Sequence, residues 1–182
     1  MLNVTYLEAL SRYYPEIQVD AQCSNGDGII RYDDIIWKVG GPIPQNELEA
    51  KILELAKERR TMEISQDCEN HIMSGFQSDA LGSPHIYDSE FVDQINLVGA
   101  LITVSPYGED TEGYTIYYAC RDVSTGIKNY YPHTYAHLRK VIFDGSQFKL
   151  ENLQIFHMKR VMISMCDTIE QIDAITWTSP WF

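Results

Sequence analysis

The chain has 182 residues, 45% of them apolar, and carries 26 acidic against 14 basic residues for a formal net charge of -12. That length supports one ordinary domain or two small ones around a buried core. The acidic balance argues against a surface that binds by displacing counterions from phosphates, so nucleic acid is not an expected partner. No apolar run approaches the ~20 residues a membrane helix needs, so no membrane partner is expected either.

Met1-Leu2-Asn3 opens no charged-then-apolar signal segment, which predicts a soluble, unprocessed protein. The four cysteines, Cys23, Cys68, Cys120 and Cys166, form no C-x-x-C pair and read as free thiols of a reducing cytoplasm. Twelve tyrosines and three tryptophans supply aromatic surface for cores and for protein interfaces.

In chain order, residues 4 to 14 place Val4, Leu7 and Leu10 at helical spacing, and Pro15 stops the helix. Residues 17 to 23 alternate apolar and polar as a half-buried strand does. Asn25-Gly26-Asp27-Gly28 is a hairpin turn, and residues 29 to 39 return as a second strand. Gly40-Gly41-Pro42 and Pro44 then form a linker. The turn has a competing reading, because Cys23 to Asp34 matches much of a 12-residue EF-hand loop, with Asn25, Asp27, Gly28 and Asp34 in register. Its first ligand position holds Cys23, a poor calcium ligand, and a strand stands where the incoming helix belongs.

From Gln45 to about Ser74 the pattern predicts a long helix, ended by Gly75. Leu48, Leu55 and Met62 lie seven apart, so they form either a face for a partner chain or an intramolecular core stripe; Arg59 and Gln66 interrupt the second position of the seam. Residues 76 to 81 read as a short strand. A helix then starts at Asp88, with Tyr87 stapled against Val92 and with Phe91, Val92, Ile95, Val98 and Ile102 as its buried face. Residues 114 to 121 and 127 to 131 make a second hairpin. Thr134 caps a helix that breaks at Asp144-Gly145, Ser146 recaps a longer one to about Cys166, and Asp167-Thr168-Ile169-Glu170 starts a short last helix that ends near Trp177. The chain closes on Trp181-Phe182, and aromatic residues at a terminus suit a partner's pocket.

Chemistry-bearing clusters are sparse. His133 and His137 lie four apart, but Pro132 and the Thr134 cap keep His133 outside the helix, and no glutamate follows in the H-E-x-x-H arrangement. His85 reads as a ring that bonds backbone and fixes its loop. There is no G-x-S-x-G, phosphate loop or dinucleotide fingerprint, and Asp88, Asp93, Asp167 and Glu170 all have cap or helix-face explanations. No enzyme activity, cofactor or metal is expected.

The run G-F-x-S-x-A-L-G-x-x-H-x-Y-D-S from Gly75 to Ser89, the D-Q-x-N-L-x-G-A from Asp93 to Ala100, Pro132-His133-Thr134 with His137-Leu138, and the closing Thr168 to Trp177 together resemble a phage domain of unknown function found in tail-fibre and tail-fibre-assembly proteins. The resemblance covers roughly residues 50 to 178. The N-terminal segment also resembles XkdW-type proteins of phage tail gene clusters. His85, Tyr87, Asp88, His133 and Thr134 belong to these shared motifs, whose family has no established chemistry.

The sequence thus predicts an α+β protein with a small helix-plus-hairpin module over residues 1 to 44 and a mainly helical module with a short antiparallel sheet over 45 to 182. Functionally the resemblance implies a virion tail component made in the host cytoplasm, an adaptor at the baseplate or fibre attachment point, oligomeric there and bound to other tail, baseplate or fibre proteins. A tail-fibre assembly chaperone and a calcium-binding regulator remain alternatives. Trp177, Trp181, Phe182, Leu48, Leu55 and Met62 are the candidate partner contacts.

Overall fold

The structure is a computed structural model that describes residues 4–107 and 114–179. The fold is α+β. It divides into two compact units, the first made of Met1–Ile64 with Met158–Phe182 and the second of Ser65–His157.

In the first unit, helix α1 (Tyr6–Tyr13) starts where the Thr5 hydroxyl accepts the Glu8 N–H at 3.3 Å. Strands β1 (Gln18–Ala21) and β2 (Ile35–Val39) pair antiparallel, with Ala21 opposite Ile35. The return strand starts later than its apolar pattern predicts. Residues Tyr32–Asp34 form a 3-10 turn instead, because the buried Asp34 carboxylate gathers the loop, accepting from the backbone N–H of Ser24 at 3.2 Å and of Arg31 at 2.9 Å. Gly26 and Gly28, at φ +69° and +78°, supply the left-handed backbone the loop needs.

Helix α2 (Gln45–Met73) begins where the Pro44 carbonyl accepts the Leu48 N–H at 3.1 Å. Its first turns lay Leu48 and Ile52 against Ala9, Leu10 and Ile35, which is the core of this unit. The helix-hairpin module has no core without that stripe, so residue 44 is not a boundary and the first unit runs on to Ile64. Further along α2, Arg60 pairs with Asp173 at 2.8 Å in the short helix α5 (Ile169–Asp173). Thr168 caps α5 in the expected place, its hydroxyl accepting the Gln171 N–H at 3.3 Å. Nearby, the fully buried Lys159 donates to the carbonyl and, at 2.7 Å, to the hydroxyl of Ser179.

The second unit is built on an antiparallel sheet in the order β3 (Phe76–Ser78), β4 (His85–Tyr87), β5 (Ile116–Asp122), β6 (Lys128–His133). Alternation puts Phe76, Ser78, His85, Tyr87 and Cys120 on the covered face and Gln77, Tyr117, Arg121 and Tyr130 on the other. Strand β4 corrects the sequence reading: Tyr87 is a sheet residue, and Asp88-Ser89 are used up leaving the strand. Helix α3 (Phe91–Val104) therefore starts after Glu90, whose N–H donates to Asp93 Oδ2 at 3.1 Å. Among the described residues Asp88 caps no helix; it ion-pairs with Lys128 on β6 instead. No staple joins Tyr87 to Val92, because Tyr87 is buried in the sheet while Val92 is exposed.

Helix α4 (Tyr135–Ser164) is continuous through Asp144-Gly145, where the sequence predicts a break. Two contacts hold it there. Ser78 donates its hydroxyl to Asp144 Oδ2 at 2.5 Å, and Phe76 packs against the bare Gly145, where a Cβ would stand 2.6 Å from the ring's Cζ. Phe76 is itself fixed, stacked on Tyr87 with centroids 5.8 Å apart and buried in a core with Leu97, Val104, Leu138 and Val141. Helix propensity alone makes Gly145→Ala stabilising by ~1 kcal/mol. Displacing a buried ring costs about 1–3 kcal/mol, so the substitution is expected to be destabilising on balance, and Phe76→Leu in the same chain to relieve it. A denaturation midpoint that rises in Gly145→Ala would show that the ring gives way freely.

Candidate interaction surface

Two parts of the second unit stand out, one sealed and one open. The sealed part unites motif residues distant in sequence. His133 Nδ1 lies 2.8 Å from the Tyr131 carbonyl, which can only accept, so Nδ1 carries the proton. Nε2 is then the acceptor for the Tyr87 hydroxyl at 2.8 Å. The Tyr118 and His137 rings meet the His133 ring edge-on. Burial pushes the Tyr87 phenol well above its ordinary range, the Tyr118 phenol up to about 12 and the Cys120 thiol upward, and it pushes the His133 imidazole down. Every shift favours the neutral form.

Both His133 nitrogens are thus taken by protein partners. Thr134 caps α4 as the sequence predicts, accepting the His137 N–H at 3.2 Å, while His137 Nδ1 accepts the Thr134 N–H at 3.3 Å. His85 also behaves as expected, its Nδ1 bonding the Ser83 carbonyl at 2.9 Å. Its Nε2 has no hydrogen-bond partner among the described residues, and Asp122 Oδ2 is 3.9 Å away.

The open part is α3. Phe91, Val92, Ile95, Val98 and Ile102, read from the sequence as the buried face, are the exposed one. Phe91 is 73% exposed, Ile95 55%, Val98 48% and Ile102 65%. The helix is apolar nearly all round, and two faces compete for the sheet. Leu97 and Val104 win, with Ala100 and Leu101 packed beside them, because the Tyr118 hydroxyl donates to the Asp93 carbonyl at 3.2 Å and sets the helix's rotation. Beside the exposed stripe a groove of about 180 Å³ runs between Gln94 and Val98 of α3 and Ile142, Ser146 and Lys149 of α4.

The contacts proposed from α2 largely fall away. Leu48 and Leu55 are buried within the first unit, so they are core residues, and Met62 alone of the three is exposed. Trp177 is half-buried; Trp181 and Phe182 lie outside the described residues. In the EF-hand-like loop, the Arg31 guanidinium, the Ile29 N–H and the Cys23 thiol occupy the Asp27 carboxylate and hold its pKa well below the usual range. Asp34 is likewise occupied by Ser24 and Arg31. The loop's own donors stand where a cation would.

The first unit has a larger cavity, about 720 Å³, lined by Tyr6, Ile29, Glu49, Leu53 and Thr168 among others. Glu49 there accepts from the Tyr6 hydroxyl at 3.0 Å, a packing bond between α1 and α2, and from Gln45 one turn earlier on α2 at 2.8 Å. Burial and the Glu49 carboxylate push the Tyr6 phenol pKa up, which holds it in its neutral form. Among known proteins, no family, no curated protein and no solved structure matches this chain.

The sealed cluster gives a signed pH dependence. Because burial lowers the folded-state pKa of His133 below the ordinary 6.5, the unfolded chain takes up that proton first. The ring's contribution is complete above about pH 6.5 and is lost as pH falls from there through the folded-state value. Stability measured by denaturant titration between pH 8 and 5 is expected to fall more steeply for the native chain than for His133→Gln, and equal slopes would refute the assignment. Tyr87→Phe, which strands Nε2 without a donor, is expected to cost about 1–3 kcal/mol at neutral pH.

Proposed function

We propose that this chain works through protein contacts as a bacteriophage tail component, an adaptor or connector at the baseplate or fibre attachment point. The observation that carries the reading is the exposed α3 stripe: five large apolar side chains side by side on one helix of an acidic protein. A contiguous patch of that kind marks an interaction site far more often than scattered surface apolar residues do. The tail context rests on the resemblance of Gly75 to Ser89, Asp93 to Ala100 and the later motifs to tail-fibre-associated domains. Two of those stretches, residues 85–87 and 132–134, meet in the Tyr87–His133 bond, and a third, residues 93–100, is part of α3 itself.

Mass spectrometry of purified particles of the encoding phage is the test. Peptides of this chain at a fixed ratio to the other tail proteins are the expected outcome. Their absence from particles, with abundant protein in the infected-cell lysate, would replace the structural role by that of an assembly chaperone.

A further inference from the structure

We infer that α3 is a self-association helix, and that the occupant of its exposed face is the α3 of a second copy of this chain in antiparallel register. At 100° per residue, Phe91, Ile95, Val98 and Ile102 fall within about 60° of arc. Their spacing of four, three and four is the alternation of a two-helix seam. That seam holds no charged or polar side chain, so a copy with the same net charge of -12 meets no like charge within the contact itself. Gly99 lies at the seam's edge with open space where a Cβ would be, which lets a second backbone come close.

The area suffices. With Val92 at the flank, the stripe exposes on the order of 600 Å² of apolar surface per copy, so a pair that covered all of it would bury at most ~1,200 Å², the lower end of specific interfaces. Antiparallel pairing follows from the charges. A parallel pair would stack Glu90 and Asp93 of both copies at one end, whereas the antiparallel pair moves the two Glu90 ~20 Å and the two Asp93 ~10 Å apart along the helix. The two-fold axis then passes between Ile95 and Val98, so that Ile95 meets the second Val98 and Phe91 meets the second Ile102. Such a contact is self-complementary, as a two-fold interface must be. None of this depends on the tail reading, since it is a property of the isolated chain.

The test is the mass of the full-length protein by sedimentation equilibrium over a concentration series. The expected result is a dimer, twice 20.9 kDa, that persists to low micromolar concentration. Ile95→Lys and Ile102→Lys are each expected to raise the dissociation constant at least about 30-fold. Both sites are exposed in the single chain, so circular dichroism and melting of the separated monomers should match the native protein. Asn96→Lys, exposed on the same helix but off the seam, is expected to leave the dimer intact. A native protein that is monomeric throughout overturns the inference and assigns the stripe to a different protein. A dimer that survives both seam substitutions overturns it equally, because the contact then lies elsewhere.

Discussion

The hydrogen bond between Tyr87 and His133 is the constraint on which the second unit depends. It reaches from β4 to β6 across the strand between them, and it leaves no alternative register, because a slip by one residue would turn Tyr87 to the outer face and strand a buried imidazole. A buried polar pair is costly when broken and directional when made. The same two residues carry the layers above the sheet. Tyr87 stacks on Phe76, Phe76 seats Gly145 of α4, and His133 stands two residues before the start of α4. Strand order, the closeness of α4 and the rotation of the aromatic layer are therefore one linked arrangement.

That arrangement decides which face of α3 is buried. The covered side of the sheet offers room for one apolar helix face, and α3 has two. With Tyr118 tied to the Asp93 carbonyl, the face of Leu97 and Val104 turns inward. The chain is left with an apolar stripe that it has no residues to cover among those described. Burial of the other face would have placed Leu97 and Val104 in water for no gain, so the exposure reflects a surplus of apolar surface and not a poor choice of rotation.

Much of this was legible in the sequence and some was not, for identifiable reasons. The α+β class, the spans of α1 and α2, the second hairpin and the caps at Thr134 and Thr168 followed from periodicity and local hydrogen-bond chemistry, which act within a few residues. Strand β4 was missed because three residues are too few to show alternation, and its Tyr-Asp-Ser also spells a plausible helix start. The break at Asp144-Gly145 failed because a glycine penalty of ~1 kcal/mol is smaller than the packing of Phe76 against the bare backbone, a partner 69 residues away. For α3 the period was right and the face was wrong. An apolar count cannot choose between two competent faces, and the contact that chooses, Tyr118 to Asp93, is between side chain and backbone and leaves no pattern. Leu48 and Leu55 show the converse, since a heptad spacing that also suits a partner was consumed by the chain's own core.

Charge and apolar surface act on association at different distances. A net charge of -12 repels any acidic neighbour, but at physiological ionic strength that repulsion is screened beyond ~8 Å. The apolar gain begins only at contact, where water is expelled. Copies therefore meet a shallow barrier at a distance and a compensating attraction where one uncharged apolar stripe faces another. In α3 that stripe lies away from Glu90 and Asp93, which crowd one end of the helix. Higher salt, which weakens the repulsion without touching the seam, therefore favours the pair.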